Sequence, residues 1–190
     1  MIKLDSIFVL ILCSLLISGC SKKDPEIVIK AGEFGGNSIY YFYLDSVSLF
    51  YRSGYYLDVK KDNENDFFFS EDEAVLGAGH FISYTINLIN SGESVYVLVD
   101  NKNYPLVLKS GDKIYESLKW VNSKNLVLYS EGESSYPPTP YSYSYGNWNG
   151  VHDGYLGFKI VKGSRTYMGW MCLSLWPAYF IKDYAYLVIN

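Results

Sequence analysis

The stretch YLGFKIVKGSRTYMGWMCLSL, residues Tyr155–Leu175, decides the fold. Two apolar segments, Tyr155–Val161 and Thr166–Leu175, stand on either side of the short polar link Lys162–Arg165. Gly163 takes the first central position of a two-residue turn, which is typical of a type II′ hairpin. The second segment is apolar at both odd and even positions, as in strands that are covered on both faces. The stretch therefore predicts an antiparallel hairpin inside the core.

The rest of the chain has the same character, because short aromatic and β-branched segments alternate with Gly, Asn, Asp and Ser turn signals. The chain has 20 Tyr, 10 Phe and 4 Trp, and such residues fit the pleated surface of a sheet. We expect an all-β protein, a single antiparallel β-sandwich or jelly-roll-like domain over residues 26–190. One short helix is predicted at Lys113–Trp120, and a long Tyr/Pro-rich loop at residues 130–149. The predicted strands outside the hairpin are Glu26–Lys30, Ser38–Tyr51, Tyr55–Val59, His80–Ile89, Val95–Val99, Leu106–Leu108, Leu126–Tyr129 and Phe180–Ile189.

The first 20 residues are typical of an export signal. Lys3 gives a positive end, and a mostly apolar run from Ile7 to Ile17 follows. A membrane-spanning helix needs about 20 apolar residues, so this run is too short to span. Its ending, Ile17-Ser18-Gly19-Cys20, resembles the lipobox of bacterial lipoproteins. The resemblance implies a signal peptide at 1–19 that is removed, and diacylglycerol and an amide-linked acyl chain on Cys20. Residues 20–25 then form a polar tether.

The resemblance to lipoproteins also implies a location in the cell. A lipid on Cys20 makes the membrane a partner and places the domain in the bacterial cell envelope. Ser21 after the lipidated cysteine is typical of lipoproteins that are sorted to the outer membrane, and the leaflet is left open. Cys13 leaves with the signal, so Cys172 is the single free thiol and no intrachain disulfide is expected. The net charge of −4 without a basic stripe excludes nucleic acid as the expected partner.

A second resemblance lies in the domain itself. YLGFK at Tyr155–Lys159, YMGW at Tyr167–Trp170 and KDYAY at Lys182–Tyr186 resemble a C-terminal β-module of exported bacterial envelope proteins. The segment LDVKKDNENDF at Leu57–Phe67 resembles an acidic loop that often stands earlier in such chains. The resemblance implies an exported or lipid-anchored β domain, and it carries no assigned activity.

The acidic loop is a candidate calcium site. Asp58, Asp62 and Asp66 stand at the first, fifth and ninth places of the loop, and calcium takes about six to eight oxygen ligands. Lys60 argues against the ion, since its ammonium occupies a position where such loops place a ligand. Asn63 replaces the usual glycine, although Asn tolerates positive φ. The alternative is a solvated acidic turn, in which case no cofactor is expected.

The Tyr/Pro-rich segment is a candidate ligand-binding surface. In YSYSY the tyrosines alternate with serine, so Tyr141, Tyr143 and Tyr145 share one side if the segment is extended. Flat aromatic rings stack on the apolar faces of sugars, and Trp148 close by would add a fourth ring. The sequence therefore predicts contact with a glycan or an envelope protein. The alternative is a lid in which the tyrosine rings pack over the sheet.

Catalysis is the weaker hypothesis. Cys172 could act as a nucleophile with His80 or His152 and with Asp153 as the acid. Cys172 is predicted to be buried, however, and buried cysteines are usually inert packing. The two histidines lack the spacing of zinc ligands. We therefore expect a non-enzymatic binding or surface-interaction module, with a structural subunit of an outer-membrane assembly as the alternative and a hydrolase as a remote one.

Overall fold

All the secondary structure in the described part of the chain is β-strand, and all its strand pairs are antiparallel. The expected all-β fold is thus confirmed. The predicted signal peptide, Cys20 and the tether lie outside the described residues. The structure is a computed structural model that describes residues 27–36, 38–48, 54–89, 92–135, 140–176 and 178–190.

In the described residues, thirteen strands form three sheets. The smallest sheet pairs β1 (Val28–Lys30) with β7 (Lys113–Tyr115). The five-stranded sheet has the order β10 (Tyr141–Tyr145), β9 (Leu126–Ser134), β5 (Gly79–Leu88), β4 (Phe67–Leu76), β3 (Tyr55–Leu57). The six-stranded sheet has the order β2 (Ile39–Ser48), β13 (Phe180–Ile189), β12 (Arg165–Ser174), β11 (Gly154–Lys162), β6 (Ser94–Leu98), β8 (Trp120–Val121).

The predicted hairpin is present as β11 and β12, which are central strands of the six-stranded sheet. Lys162 pairs with Arg165, so the turn has two residues, and Gly163 takes φ +60° while Ser164 stays at negative φ. That combination is the one that a type II′ turn requires.

The six-stranded sheet is the middle layer of the molecule, which explains why β12 is apolar on both faces. Met171 and Leu173 pack in the inner core, between the six-stranded and five-stranded sheets. Trp170 and Cys172 pack in the outer core, with Ile29 of β1. The two main sheets form a sandwich, and the small β1–β7 sheet covers part of its outer side.

The predicted helix at Lys113–Trp120 is wrong. This segment forms β7, a turn and β8. Ile114 pairs with Ile29 and is fully buried in the outer core. The pairing of β7 with β1 and the burial of Ile114 therefore outweigh the helical preference of the segment.

Two predicted strand and loop assignments also change. Leu106–Leu108 is not a strand of any sheet: Leu108 makes one isolated bridge with Tyr155. The preceding residue, Pro105, makes another with Val99, and it has no N–H to donate to a ladder. The prediction of one long loop at 130–149 is wrong as well, since ten of these twenty residues belong to the paired strands β9 and β10. Residues 136–139 of that segment lie outside the described ranges.

Candidate functional site

The most distinctive surface is a row of tyrosines on the edge strand β10. The ring centroids of Tyr141 and Tyr143 are 6.5 Å apart with an interplanar angle of 6°, and those of Tyr143 and Tyr145 are 5.7 Å apart at 21°. Tyr104 continues the row, 6.1 Å from Tyr145. The three β10 tyrosines are 39–49% exposed. We call these four residues the tyrosine row; the shared side of the three β10 rings follows from the alternation in YSYSY.

Gly132 of β9 has no side chain, so the rings of its neighbours on the adjacent strands pack directly against the sheet. It pairs with Phe81 on one side and with Tyr143 on the other. A Cβ atom at this position would lie 2.6 Å from Phe81 Cδ1 and 2.8 Å from the Tyr143 ring. The two rings thus reach over the glycine from neighbouring strands, so Phe81 and Gly132 belong to the same surface as the row. Sequence reasoning missed both, although a glycine inside a strand signals close approach.

A carboxylate lies at one end of the row. Asp100 accepts hydrogen bonds from the backbone N–H of Lys102 (2.8 Å) and Tyr104 (3.0 Å) and from Asn147 Nδ2 (3.0 Å). Slight burial opposes ionisation, but these bonds outweigh it and hold the pKa of Asp100 below its usual value. An ionised hydrogen-bond acceptor therefore stands beside Tyr104, where the row ends.

Trp148 does not belong to this surface, and its prediction as a ligand contact is wrong. It is completely buried in the inner core, and its indole Nε1 donates to the carbonyl of Pro105 at 3.0 Å. Gly146, at φ +96°, turns the chain inward after β10 and approaches the Leu128 carbonyl too closely for any side chain. The turn separates Trp148 from the exposed tyrosines that precede it.

The acidic loop is held by hydrogen bonds within the protein. Asp58 accepts from the backbone N–H of Asp62 (3.3 Å) and Asn63 (2.8 Å), and Lys162 Nζ donates to Asp62 at 2.9 Å. Asn63 has φ +67°, the left-handed conformation that its short polar side chain tolerates. Calcium binding by Asp58 and Asp62 stays a prediction.

Asp66 has a different role from the predicted one. It is fully buried, accepts the Val59 N–H at 2.7 Å and contacts Lys60 Nζ, which also donates to Glu93 at 2.7 Å. Burial, together with a hydrogen bond to Glu93, raises the pKa of Asp66 to about 7, against the opposing effect of Lys60. Asp66 is therefore not an exposed calcium ligand, and that prediction is corrected.

Ammonium groups already neutralise the neighbouring carboxylates. Asp62, Glu64 and Glu93 bring oxygens within 4.8 Å of one another, the separation that a metal ion needs. Lys162 contacts Asp62 and Glu64, and Lys60 contacts Glu93 and lies 3.8 Å from Asp62. Lysine ammonium groups thus contact all three carboxylates of this cluster, of which only Asp62 was a predicted calcium ligand.

Cys172, the nucleophile considered for catalysis, is packed in the outer core. Cys172 is 5% exposed in the outer core, as predicted, and burial raises the pKa of its thiol to about 12. His80 pairs with Glu73 at 2.8 Å, and His152 lies 3.3 Å from Asp153. Within the described ranges no hydrogen bond joins Cys172 to either histidine. A protonated, packed thiol is not an activated nucleophile.

Comparison of the chain with protein-family models, with curated proteins and with solved structures found no match. In the part of the chain that the structure describes, no helix is long and apolar enough to cross a membrane. The fold and the surface together define an antiparallel β-sandwich with an aromatic row on the outer face of one sheet edge.

Proposed function

We propose that the chain is a lipid-anchored protein of the bacterial cell envelope, with acyl chains on Cys20, that binds a glycan on the tyrosine row. Ser21 favours the outer membrane. The proposed function is binding without catalysis. The tyrosine row supplies contact area and hydrogen bonds, and the buried thiol of Cys172 is not available as a nucleophile. The observation that carries it is the set of half-exposed, parallel rings of Tyr141, Tyr143 and Tyr145.

The chemistry of the row suits a sugar chain better than a compact ligand. Tyrosine combines a flat apolar ring with a hydroxyl group that keeps a polar partner, and a sugar combines an apolar ring face with hydroxyl groups. The rings follow one another at 5.7–6.5 Å along an extended strand, so successive units of a linear polysaccharide can each meet one ring. Asp100 at the end of the row adds an acceptor for a sugar hydroxyl.

A structural subunit of an envelope assembly is the second candidate. Among the described strands β10 pairs only with β9, and all five of its residues are exposed. An open strand edge is a template for pairing with another chain. Crosslinking in cells and size-exclusion chromatography separate the two proposals. A binding module is expected to be recovered without stable protein partners, and an assembly subunit with them.

Replacing Tyr141, Tyr143 and Tyr145 together by alanine is expected to weaken glycan binding strongly. Each aromatic contact contributes about 0.5–1.5 kcal/mol beyond the area that it buries, so losing three weakens binding about tenfold or more. Isothermal titration calorimetry against a panel of soluble polysaccharides measures the change. Tyr56→Ala is the matched control, since Tyr56 is 57% exposed on β3, the opposite edge of the same sheet. Unchanged binding by the triple variant would refute the proposal.

Gly132→Val is expected to weaken binding of the same polysaccharide about tenfold without replacing any tyrosine. The added side chain must occupy the space where the rings of Phe81 and Tyr143 now lie, so both are forced off the sheet. Gly35→Val is the control, because a Cβ atom there meets nothing within 4 Å. Calorimetry gives the affinity, and near-ultraviolet circular dichroism reports the tyrosine environment. Full affinity in Gly132→Val would show that the ring positions do not matter.

A further inference from the structure

A second exposed aromatic surface lies on the opposite side of the sandwich. Phe34, Tyr41 and Tyr43 are 70%, 39% and 66% exposed, and the ring centroids of Phe34 and Tyr41 are 5.6 Å apart. We call these three residues the Phe34 patch. Tyr41 pairs with Ala185 of the outer core, which places the patch on the outer face of the six-stranded sheet. The tyrosine row lies on the outer face of the five-stranded sheet, because Phe81 points away from the inner-core residue Ile86.

The Phe34 patch is fixed in place by buried neighbours. Trp170, 1% exposed, donates from its indole Nε1 to the carbonyl of Glu33 at 3.1 Å, next to Phe34. The Tyr41 ring lies 6.3 Å from the Trp170 ring, and its hydroxyl donates to Asp183 Oδ2 at 2.9 Å. Phe34 and Tyr41 are therefore held beside the buried Trp170, on the link between β1 and β2 and on β2 itself.

The same side of the molecule carries the start of the domain. Ile27 and Val28, at the beginning of β1, are 46% and 38% exposed, and β1 covers the outer face of the six-stranded sheet. Only six residues lie between Cys20 and Ile27, so the chain joining them spans at most about 25 Å when fully extended. A lipid on Cys20 would hold this face close to the bilayer.

We infer that the Phe34 patch docks on the surface of the phospholipid bilayer that holds the acyl chains of Cys20. The inference rests on the lipid anchor of the proposed function. Aromatic side chains with an apolar body and a polar tip concentrate at the headgroup level of membranes. Glu33, Asp45 and Asp183 lie beside the patch and the chain carries a net charge of −4, so the surface that it fits is zwitterionic. Docked in this way, the sandwich turns the tyrosine row away from the membrane toward its ligand.

Site-directed spin labelling tests the orientation. In the mature chain Cys20 is acylated and Cys172 is buried, so an introduced cysteine is the single reactive thiol. Gly35→Cys places a label beside Phe34 in open space, and Ser142→Cys places one on exposed β10. The full lipidated chain is purified from membranes and reconstituted in phosphatidylcholine vesicles. We expect the label at 35 to be more accessible to oxygen than to a water-soluble nickel chelate, and the label at 142 to show the reverse.

Two further variants separate the inference from its premise. Phe34→Ser combined with Tyr43→Ser, in the labelled Gly35→Cys chain, is expected to remove the oxygen preference while the chain still floats with the vesicles. A chain that floats but shows equal nickel accessibility at 35 and 142 overturns the docking inference alone. A chain that floats no better than its Cys20→Ala variant overturns the lipid anchor, and the docking inference with it.

Discussion

Replacing Trp148 by alanine is expected to lower the free energy of unfolding by about 3–5 kcal/mol, the range for deleting a large buried aromatic side chain. Trp148 is completely buried and packs in the inner core between the two main sheets. The substitution also leaves the Pro105 carbonyl without its indole donor, which adds the cost of an unsatisfied buried acceptor. Urea unfolding, followed by tyrosine and tryptophan fluorescence, measures the loss.

Tyr145→Ala is the matched control for Trp148→Ala. Tyr145 lies three residues earlier and is 41% exposed, so its replacement is expected to change stability by about 0.5 kcal/mol or less. The effects on ligand binding are expected to be the reverse. Tyr145→Ala weakens glycan binding, because Tyr145 belongs to the tyrosine row, and Trp148→Ala leaves it unchanged, because Trp148 does not. A stable Trp148→Ala protein that had lost glycan affinity would restore Trp148 to the binding surface and contradict the burial seen here.

The hairpin of β11 and β12 shows what the sequence could predict. Its strands, its two-residue turn and its burial on both faces depend on local pattern and on Gly163, and all three are confirmed. The common side of Tyr141, Tyr143 and Tyr145 is likewise a matter of alternation. These features need no knowledge of distant residues, because strand geometry places alternate side chains on one face.

Features that depend on distant partners could not be predicted. Trp148 and Tyr145 are both aromatic, and only the turn at Gly146 sends one into the core and leaves the other outside. Ile114 forms a strand because Ile29, 85 positions earlier, supplies its partner. The platform under Tyr143 depends on Gly132 meeting Phe81 across the sheet.

The prediction for Asp66 was wrong for a related physical reason. Spacing along the chain put Asp66 in a row with Asp58 and Asp62, but the carboxylate points inward to Lys60 and to Glu93, which follows in another part of the sequence. The sequence could signal that a lysine disfavours calcium there. It could not show that the lysine itself is the cation of a buried pair of acids.

Replacing Lys60 by methionine is expected to destabilise the fold by about 3–5 kcal/mol at pH 8, because it leaves two buried carboxylates without a cation. The side chains of Asp66 and Glu93 are 0% exposed and that of Lys60 is 2% exposed, so water cannot replace the ammonium. The loss relative to wild type is expected to be smaller at pH 5, where a proton can neutralise one of the acids. Urea unfolding at the two pH values measures it, and Lys162→Met, which removes partly exposed ion pairs, is the control at about 1 kcal/mol or less.

The stability of the wild-type protein is also expected to depend on pH through Asp66. The pKa of Asp66 is raised from 3.8 to about 7 in the folded chain. Between these two pH values the folded state therefore keeps a proton on Asp66 that the unfolded state has lost. The contribution of Asp66 to stability is therefore complete below about pH 4 and is lost as the pH rises through 7. Glu93→Gln is expected to flatten this dependence of stability on pH, because Asp66 then faces Lys60 alone and ionises as its ion-pair partner.

A loss of stability in Lys60→Met that is equal at pH 5 and pH 8 would contradict the role of the charge. It would show that packing of the lysine side chain, and not its charge, holds the acidic loop against the sandwich.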